Sequence, residues 1–247
     1  MPASVKQALA DSFGNVAELY DRVRLEYSDA AVDRLSRELE LESSAAVLDL
    51  AAGTGRLTRR LVERFHRVAA VEPNDDMRTL ISGVETLAGT AEQIPFSDSQ
   101  FDAVFVADAF HWFDWPVALG EIARVLRPRG GLALIWNHWW ETEPPIPDAA
   151  LELLNARFSE SGARNLWDNE DWRDGFAGSA FEPLVVDALV ERVDVDGSRL
   201  VELYLTTSSL AVMPAYEREK LARDLARLVS GRFTIPVEVL LAWTRVA

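Results

Sequence analysis

The chain has 247 residues, an apolar fraction of 49%, no cysteine, and 40 acidic against 25 basic side chains, for a formal charge of −15. That length suits one large α/β domain, or a core domain carrying a small insertion. The missing cysteine excludes disulfides, thiolate nucleophiles and cysteine-based zinc sites. The acidic surface repels phosphate backbones, so no nucleic-acid partner is expected. Three histidines, His66, His111 and His138, stand at no metal-ligand spacing, and no metal is expected. The N-terminal MPASVKQALADSFG lacks the long apolar run of a signal peptide, and no segment approaches 18 continuous apolar residues. The expectation is a cytoplasmic enzyme without a membrane partner.

The first 40 residues read as helical. Val16, Leu19, Tyr20, Val23 and Tyr27 recur at spacings of three and four, and Val32, Leu35 and Leu39 do the same over Ala31–Leu41. Ala45–Leu50 is a short apolar run ending in small residues and glycines, a buried strand feeding a tight turn. A helix is predicted over Arg56–Phe65, a strand over Arg67–Glu72, a helix over Asn74–Ile81 and a short strand over Val84–Ala88. Five arginines, at 56, 59, 60, 64 and 67, crowd this stretch and read mostly as a solvated helix face. His66 reads as a surface or capping residue. FDAVFVA (101–107) is a strongly apolar strand. Pro116–Leu126 is a helix with proline where a missing N–H costs least, and Gly131–Asn137 is a fifth strand after an Arg-Pro-Arg-Gly-Gly turn.

Beyond residue 138 the pattern loosens into a proline-rich break at Glu141–Pro147. Helices are predicted over Ala149–Phe158, near Ser198–Thr207 and over Tyr216–Val229. Strands are predicted over Leu184–Val195 and Arg232–Val246, an antiparallel pair at one sheet edge. Strands alternating with helices give a doubly wound, mainly parallel seven-stranded α/β sheet with helices on both faces. The expected layout is one domain. An N-terminal helical cover occupies 1–42 and a cofactor-binding core 43–140. A lid or insertion follows over 141–180, and the last part of the sheet with its helices over 181–247.

The most informative segment is Asp49-Leu-Ala-Ala-Gly53-Thr-Gly55, at the carboxyl end of the first core strand, where doubly wound folds bind ligands. Glycine lets the chain turn sharply and lets a ligand approach the backbone. Asp49 precedes the turn, and Glu72, 19 positions after Gly53, ends the next strand, where an acid suits two ribose hydroxyls. A nicotinamide cofactor is the rival ligand. Its fingerprint needs a third glycine at position 58, which is threonine here, and a diphosphate is poorly served by Asp49. An acidic loop suits a cationic amino-acid group better.

Four ordered segments resemble class I S-adenosylmethionine-dependent methyltransferases of the small-molecule branch. They are VLDLAAGTGRLT (47–58), VEPNDDM (71–77), GTAEQIPFSDSQFDAVFVADAFHWFD (89–114) and VLRPRGGLALI (125–135). AFHWFD and the N-terminal YDRVRLEYS (20–28) are similar to a trans-aconitate methyltransferase-like subgroup, with Leu25 and Ser28 where that signature has prolines. The resemblance implies a Rossmann-like methyltransferase fold with S-adenosyl-L-methionine as cofactor. It implies that Asp49, or the backbone around Ala51 and Gly53, holds the amino-acid end, with Thr54 and Gly55 also cofactor-binding, and that Glu72, beside Pro73, takes the ribose hydroxyls. Met77, Ala91 and Glu92 would meet the adenine, and the backbone at Asp108 the methionine moiety. The helix carrying Tyr20 and Arg24 would cover the cofactor. Ala51 stands where the family has its first glycine.

Methyl transfer from a sulfonium is an in-line displacement, so the protein mainly positions and desolvates. A carboxylate acceptor needs no base, whereas a hydroxyl or carbon acid does. His111 is the candidate base or positioning residue. His111, Trp112, Trp136 and Trp139 are the candidate acceptor pocket, with Trp140 nearby; packing in the core is the other reading of these aromatics. A small-molecule acceptor leads over a macromolecule because of the acidic charge. The alternatives are an NAD(P)-dependent oxidoreductase and a cofactor-binding partner protein without catalysis.

Overall fold

The computed structural model describes residues 14, 16–139, 146–161 and 172–247. Trp140, and residues 141–145 and 162–171 of the expected insertion, lie outside the described residues. Seven strands form one sheet in the order β3-β2-β1-β4-β5-β7-β6. They are β1 (Ala46–Leu50), β2 (Arg67–Val71), β3 (Glu85–Leu87), β4 (Phe101–Ala107), β5 (Leu126–His138), β6 (Val185–Asp196) and β7 (Arg232–Arg245). The first five are parallel neighbours. The Val246 N–H bonds to the Gly130 carbonyl near the start of β5, and the Gly197 N–H bonds to the Gly231 carbonyl. Both contacts make β7 antiparallel to its neighbours, as the sequence pattern predicts. The strand order reverses between β1 and β4, so a crevice opens at their carboxyl ends.

The described residues cluster into two compact units. One draws on residues 26–137, 172–189 and 238–247, and the other on the rest of the described chain. In the first, helices α2 (Asp29–Glu38), α3 (Arg56–Val62), α4 (Asp75–Arg78) and α5 (Trp115–Val125) accompany the parallel strands. Leu48, Leu50, Val104, Val106, Leu132 and Leu134 are buried in one core with Leu119, Ile122 and Val125 of α5. Val47, Ala103, Phe105 and Ala133 between them are also fully buried, and Phe65 packs on Phe105 with ring centroids 6.2 Å apart. Burial on both faces is what a near-continuous apolar run such as FDAVFVA specifies. The second unit holds α1 (Ala17–Val23), α6 (Asp148–Ser161), α7 (Gly197–Leu205), α8 (Ser208–Ala211) and α9 (Ala215–Leu228). Its core includes Leu200, Leu203, Leu210, Leu221 and Leu225.

Three expectations are corrected. Tyr27 is not on the first helix: the chain leaves helical geometry at Arg24 (φ −56, ψ 149), and α2 starts afresh with the Ser28 hydroxyl accepting the Ala31 N–H. The Arg-Pro-Arg-Gly-Gly segment is not a turn before β5 but part of it. A register shift between Phe101 and Ala103 absorbs it, and Arg129 sits at φ 60. The arginine stretch is not one solvated face. Arg56 is buried against Glu26 at 3.0 Å, and Arg64 pairs with Asp29 and Asp33 at 2.8 and 2.7 Å. His66 is exposed.

Candidate active site

The turn after β1 is built from three left-handed residues: Ala51 (φ 56), Gly53 (φ 58) and Gly55 (φ 80). At Gly53 an added Cβ would meet only the Met77 methyl at an ordinary 3.8 Å, so conformation rather than crowding calls for glycine. At Gly55 a Cβ would press on Ile81 at 3.1 Å as well. Gly55 is also the N-cap of α3, and its N–H closes the turn on the Ala52 carbonyl.

Two buried acids flank this turn. Glu72 follows β2 and accepts the Gly53 N–H on Oε2 at 2.7 Å and the Asn74 N–H on Oε1 at 2.9 Å. It therefore pins the glycine turn to the next strand. Two backbone donors use about half of a carboxylate's accepting capacity, which leaves room for a pair of ligand hydroxyls. Asp49 lies within β1, 1% exposed, and its Oδ2 accepts the Thr58 hydroxyl at 2.6 Å. Its Oδ1 is buried with no hydrogen-bond partner, and so is the Thr54 hydroxyl two residues along from the Ala52 turn. Burial pushes the Asp49 carboxyl up to about 7 and the Glu72 charge adds to this, while the Thr58 hydroxyl pulls the other way. Burial also raises Glu72, opposed by the Asn74 and Gly53 N–H groups and by Arg78.

Two buried carboxylates and two orphaned oxygens are costly, on the order of 1–3 kcal/mol for each unmet polar group. A cation with N–H donors offsets that cost; a diphosphate would add to it. The residues therefore fit the ammonium end and ribose of S-adenosylmethionine. Thr58, which the sequence marks only as a missing glycine, is the partner that orients Asp49.

The β4 end is equally constrained. Asp108 is left-handed (φ 50), and its own N–H bonds to the Ile135 carbonyl at 2.8 Å. Its carboxylate accepts the Tyr27 hydroxyl at 2.8 Å and the Asn137 N–H at 3.1 Å. The side chain is committed to holding the turn, so what it can present to a ligand is backbone. Sequence reasoning assigned no role to Tyr27, although it lies in the YDRVRLEYS segment, and missed Asn137, which has no motif of its own. Ala91 is buried, and Glu92 turns an oxygen to the Asp114 N–H at 2.9 Å, closing the loop that carries His111 and Trp112. Those two rings are half-buried, with centroids 4.7 Å apart. Met77 is buried beneath the glycine turn and Pro73 is exposed.

Trp136 is 1% exposed and packs on Trp172 at 4.6 Å, within an aromatic cluster that includes Phe110 and Phe176. The structure thus places it in the core of the first unit. Tyr20, Arg24 and Trp139 belong to the second unit. There the Arg24 guanidinium lies 4.8 Å from the Tyr20 ring and bonds to the Thr206 hydroxyl and carbonyl at 3.0 and 2.7 Å.

Residues 48–134 match the methyltransferase-domain family model. A methyltransferase-like protein of Schizosaccharomyces pombe, itself uncharacterised, is 30% identical over 222 residues, covering 88% of this chain and 84% of that protein. This chain belongs to the class I S-adenosylmethionine-dependent methyltransferase family. An uncharacterised methyltransferase of Mycobacterium tuberculosis is 48% identical over 131 residues, 51% of this methyltransferase chain. The chain spans about half of that relative, 52% of its length. A solved structure from Anaeromyxobacter dehalogenans, described as a type II methyltransferase, superposes with a TM-score of 0.62 at 18% identity, covering 90% of this chain and 98% of that one. That likeness is one of fold. The trans-aconitate-like subgroup has no counterpart among these relatives.

Proposed function

We propose that this protein transfers the methyl group of S-adenosyl-L-methionine to a small-molecule acceptor, with a carboxylate oxygen as the favoured atom. The observation that carries the reading is the left-handed turn Ala51–Gly55, pinned by Glu72 beside the buried, half-partnered carboxylate of Asp49. Bound S-adenosylmethionine supplies a methyl group activated by a sulfonium cation. The chain's own residues bind and orient. Asp49 and the turn backbone, with Thr54 and Gly55, receive the ammonium end. Glu72, followed by Pro73, takes the ribose. Met77, Ala91 and Glu92 border the adenine, and the Asp108 backbone faces the methionine. The resemblance also assigns Tyr20 and Arg24 to cofactor binding. His111 and Trp112 border the acceptor.

The carboxylate preference rests on two points. The similarity of AFHWFD and YDRVRLEYS to the trans-aconitate-like subgroup is one. A carboxylate also attacks without a base, so His111 need only position it. The charge of −15 bears on size alone: it disfavours nucleic-acid acceptors and so favours a small molecule.

Calorimetric titration with S-adenosylmethionine, S-adenosylhomocysteine and NADH tests the cofactor. Micromolar binding of both adenosyl ligands and none of NADH is expected, with a loss of about 1–3 kcal/mol in Glu72→Ala, as when a buried hydrogen-bonding partner is removed. Binding of NADH alone overturns the reading. Methylation of trans-aconitate, followed by ester formation, tests the acceptor class.

A further inference from the structure

At the amino ends of the parallel strands, the end away from the glycine turn, the first unit carries a cavity of about 390 Å³. Its walls come from the chain after α2, the starts of β1, β4 and β5, and the end of β7. The five residues of β1, about 16 Å at 3.3 Å each, separate it from the turn Ala51–Gly55. Arg127, Arg129 and Arg245 line it against Glu40, Glu42 and Asp102, so the lining is neutral in a chain of charge −15. The acids are largely spent. Asp102 accepts the Ala46 N–H at 2.7 Å on one oxygen and Arg127 at 2.6 Å on the other, and Glu40 accepts Arg245 at 3.1 Å. The arginines, with five N–H donors each, are not. Among the described residues the Arg129 guanidinium, 70% exposed, meets only Glu182, at 3.7 Å.

Two walls of the cavity are strained. Ala51 and Asp108, left-handed without being glycine, stand at the cofactor end; Glu40 (φ 48) and Arg129 (φ 60) are left-handed too, and both line this cavity. Glycine would relieve such backbone, and strain that persists gathers at functional sites. Arg129 sits in the irregular start of β5, beside Gly130, where an added Cβ would lie 2.9 Å from the Arg127 carbonyl. That tight backbone holds Arg129 in place before any ligand arrives.

We propose that this cavity is a second ligand site, where Arg127, Arg129 and Arg245 bind the phosphate group of a small phosphorylated molecule. A phosphate monoester offers three terminal oxygens on a tetrahedral centre, enough for three guanidiniums, whereas a planar carboxylate is filled by one or two. The Glu40–Arg245 pair is exposed on the Glu40 side, and such a pair is weak, so the phosphate displaces Glu40 from Arg245 at little cost. A single dianion among three cations escapes the repulsion that a phosphate backbone meets across the wider acidic surface. The volume is that of a small-molecule pocket, with Leu41 and Pro128 as apolar wall for the rest of the ligand. The site is independent of the methyl acceptor.

The test is calorimetry on the full chain at low salt, with ribose 5-phosphate, inorganic phosphate, ribose and succinate as probes. Ribose 5-phosphate should bind saturably, inorganic phosphate about tenfold more weakly, and ribose not measurably. Arg129→Asn keeps a residue that tolerates left-handed backbone, so it should melt no lower than wild type while binding ribose 5-phosphate about tenfold more weakly. Glu40→Asn frees Arg245 and should tighten binding severalfold. Arg223→Gln removes the same charge from an exposed position on α9 and should change nothing. Equal weakening by Arg129→Asn and Arg223→Gln would reduce the effect to the general field of the protein and overturn the proposal. Wild type that binds neither phosphate probe overturns it too, as does succinate bound more tightly than inorganic phosphate. Saturating S-adenosylhomocysteine should leave the affinity for ribose 5-phosphate unchanged; competition would place the phosphate at the glycine turn and overturn the second site.

Discussion

Ala51 is a methyl group in a place that favours glycine. Its φ of 56 costs an L-residue about 1–2 kcal/mol, of which alanine recovers part through its less mobile unfolded chain. Ala51→Gly should therefore raise the unfolding free energy by about 0.5–1 kcal/mol in a urea titration, with S-adenosylhomocysteine affinity within twofold, since the turn is already formed. A destabilised variant would mean that the Ala51 methyl packs rather than strains. Asp49 gives a pH signature. Its carboxyl is raised from 3.8 to about 7, chiefly by burial. Between those values the folded protein holds a proton that the unfolded chain has lost. Stability is thus greatest at the acid end of this window and falls as pH rises through it, levelling off above 7. The cofactor-free protein should lose on the order of 3 kcal/mol from this group between pH 5 and pH 8, and Asp49→Asn should lose much less. Affinity for S-adenosylmethionine runs the other way, because its cation wants the ionised form. Calorimetry should find it about tenfold tighter at pH 7 than at pH 5.5, with a flat profile in Asp49→Asn. A flat wild-type profile would rule out Asp49 as the group that meets the ligand's charge.

Elements whose apolar period is unambiguous were legible in the sequence. FDAVFVA forms β4 over Phe101–Ala107 at the bounds read from the sequence, and the late strands form the antiparallel edge. The glycine turn and Glu72 were legible because their residue types have few other uses at a strand end. What failed were boundaries set by tertiary contacts. Tyr27 has helical spacing from Val23, yet its hydroxyl is drawn to Asp108, 81 positions away. Arg56 reads as solvated, yet it is buried and paired with the exposed Glu26. No local pattern carries such partners. The Tyr27–Asp108 bond ties the start of α2 to the β4 turn, so Tyr27→Phe should cost about 1 kcal/mol in chemical unfolding, the penalty for a half-buried carboxylate losing one donor. It should also weaken S-adenosylhomocysteine binding severalfold by loosening the Asp108 backbone; unchanged affinity would separate that turn from the cofactor site. At the other end of the sheet, Gly197 begins α7 where a Cβ would lie 2.6 Å from the Val229 carbonyl. Backbone cannot yield as a side-chain tip can, so Gly197→Ala should lower the melting temperature by several degrees, through the strain of forcing β6 and β7 apart.

Across the whole molecule, the excess of acid has a kinetic consequence. The arginines that might have offset it near the glycine turn are engaged, Arg56 and Arg60 with Glu26, and Arg64 with Asp29 and Asp33. A net charge of −15 therefore acts on ligands largely uncompensated there. S-adenosylmethionine carries a sulfonium and an ammonium against one carboxylate and arrives as a net cation, while S-adenosylhomocysteine has lost the sulfonium and arrives neutral. The protein's field reaches out about 30 Å at 0.01 M salt and about 10 Å at 0.1 M. Stopped-flow tryptophan fluorescence should then show the association rate of S-adenosylmethionine falling severalfold between those salt concentrations, with S-adenosylhomocysteine changing less than twofold. An equal fall for both ligands would place the salt effect in the protein's conformation, because a neutral ligand cannot be steered. With steering present, the field favours capture of substrate over product, and a site that binds the two with similar affinity still loads the reactive one faster.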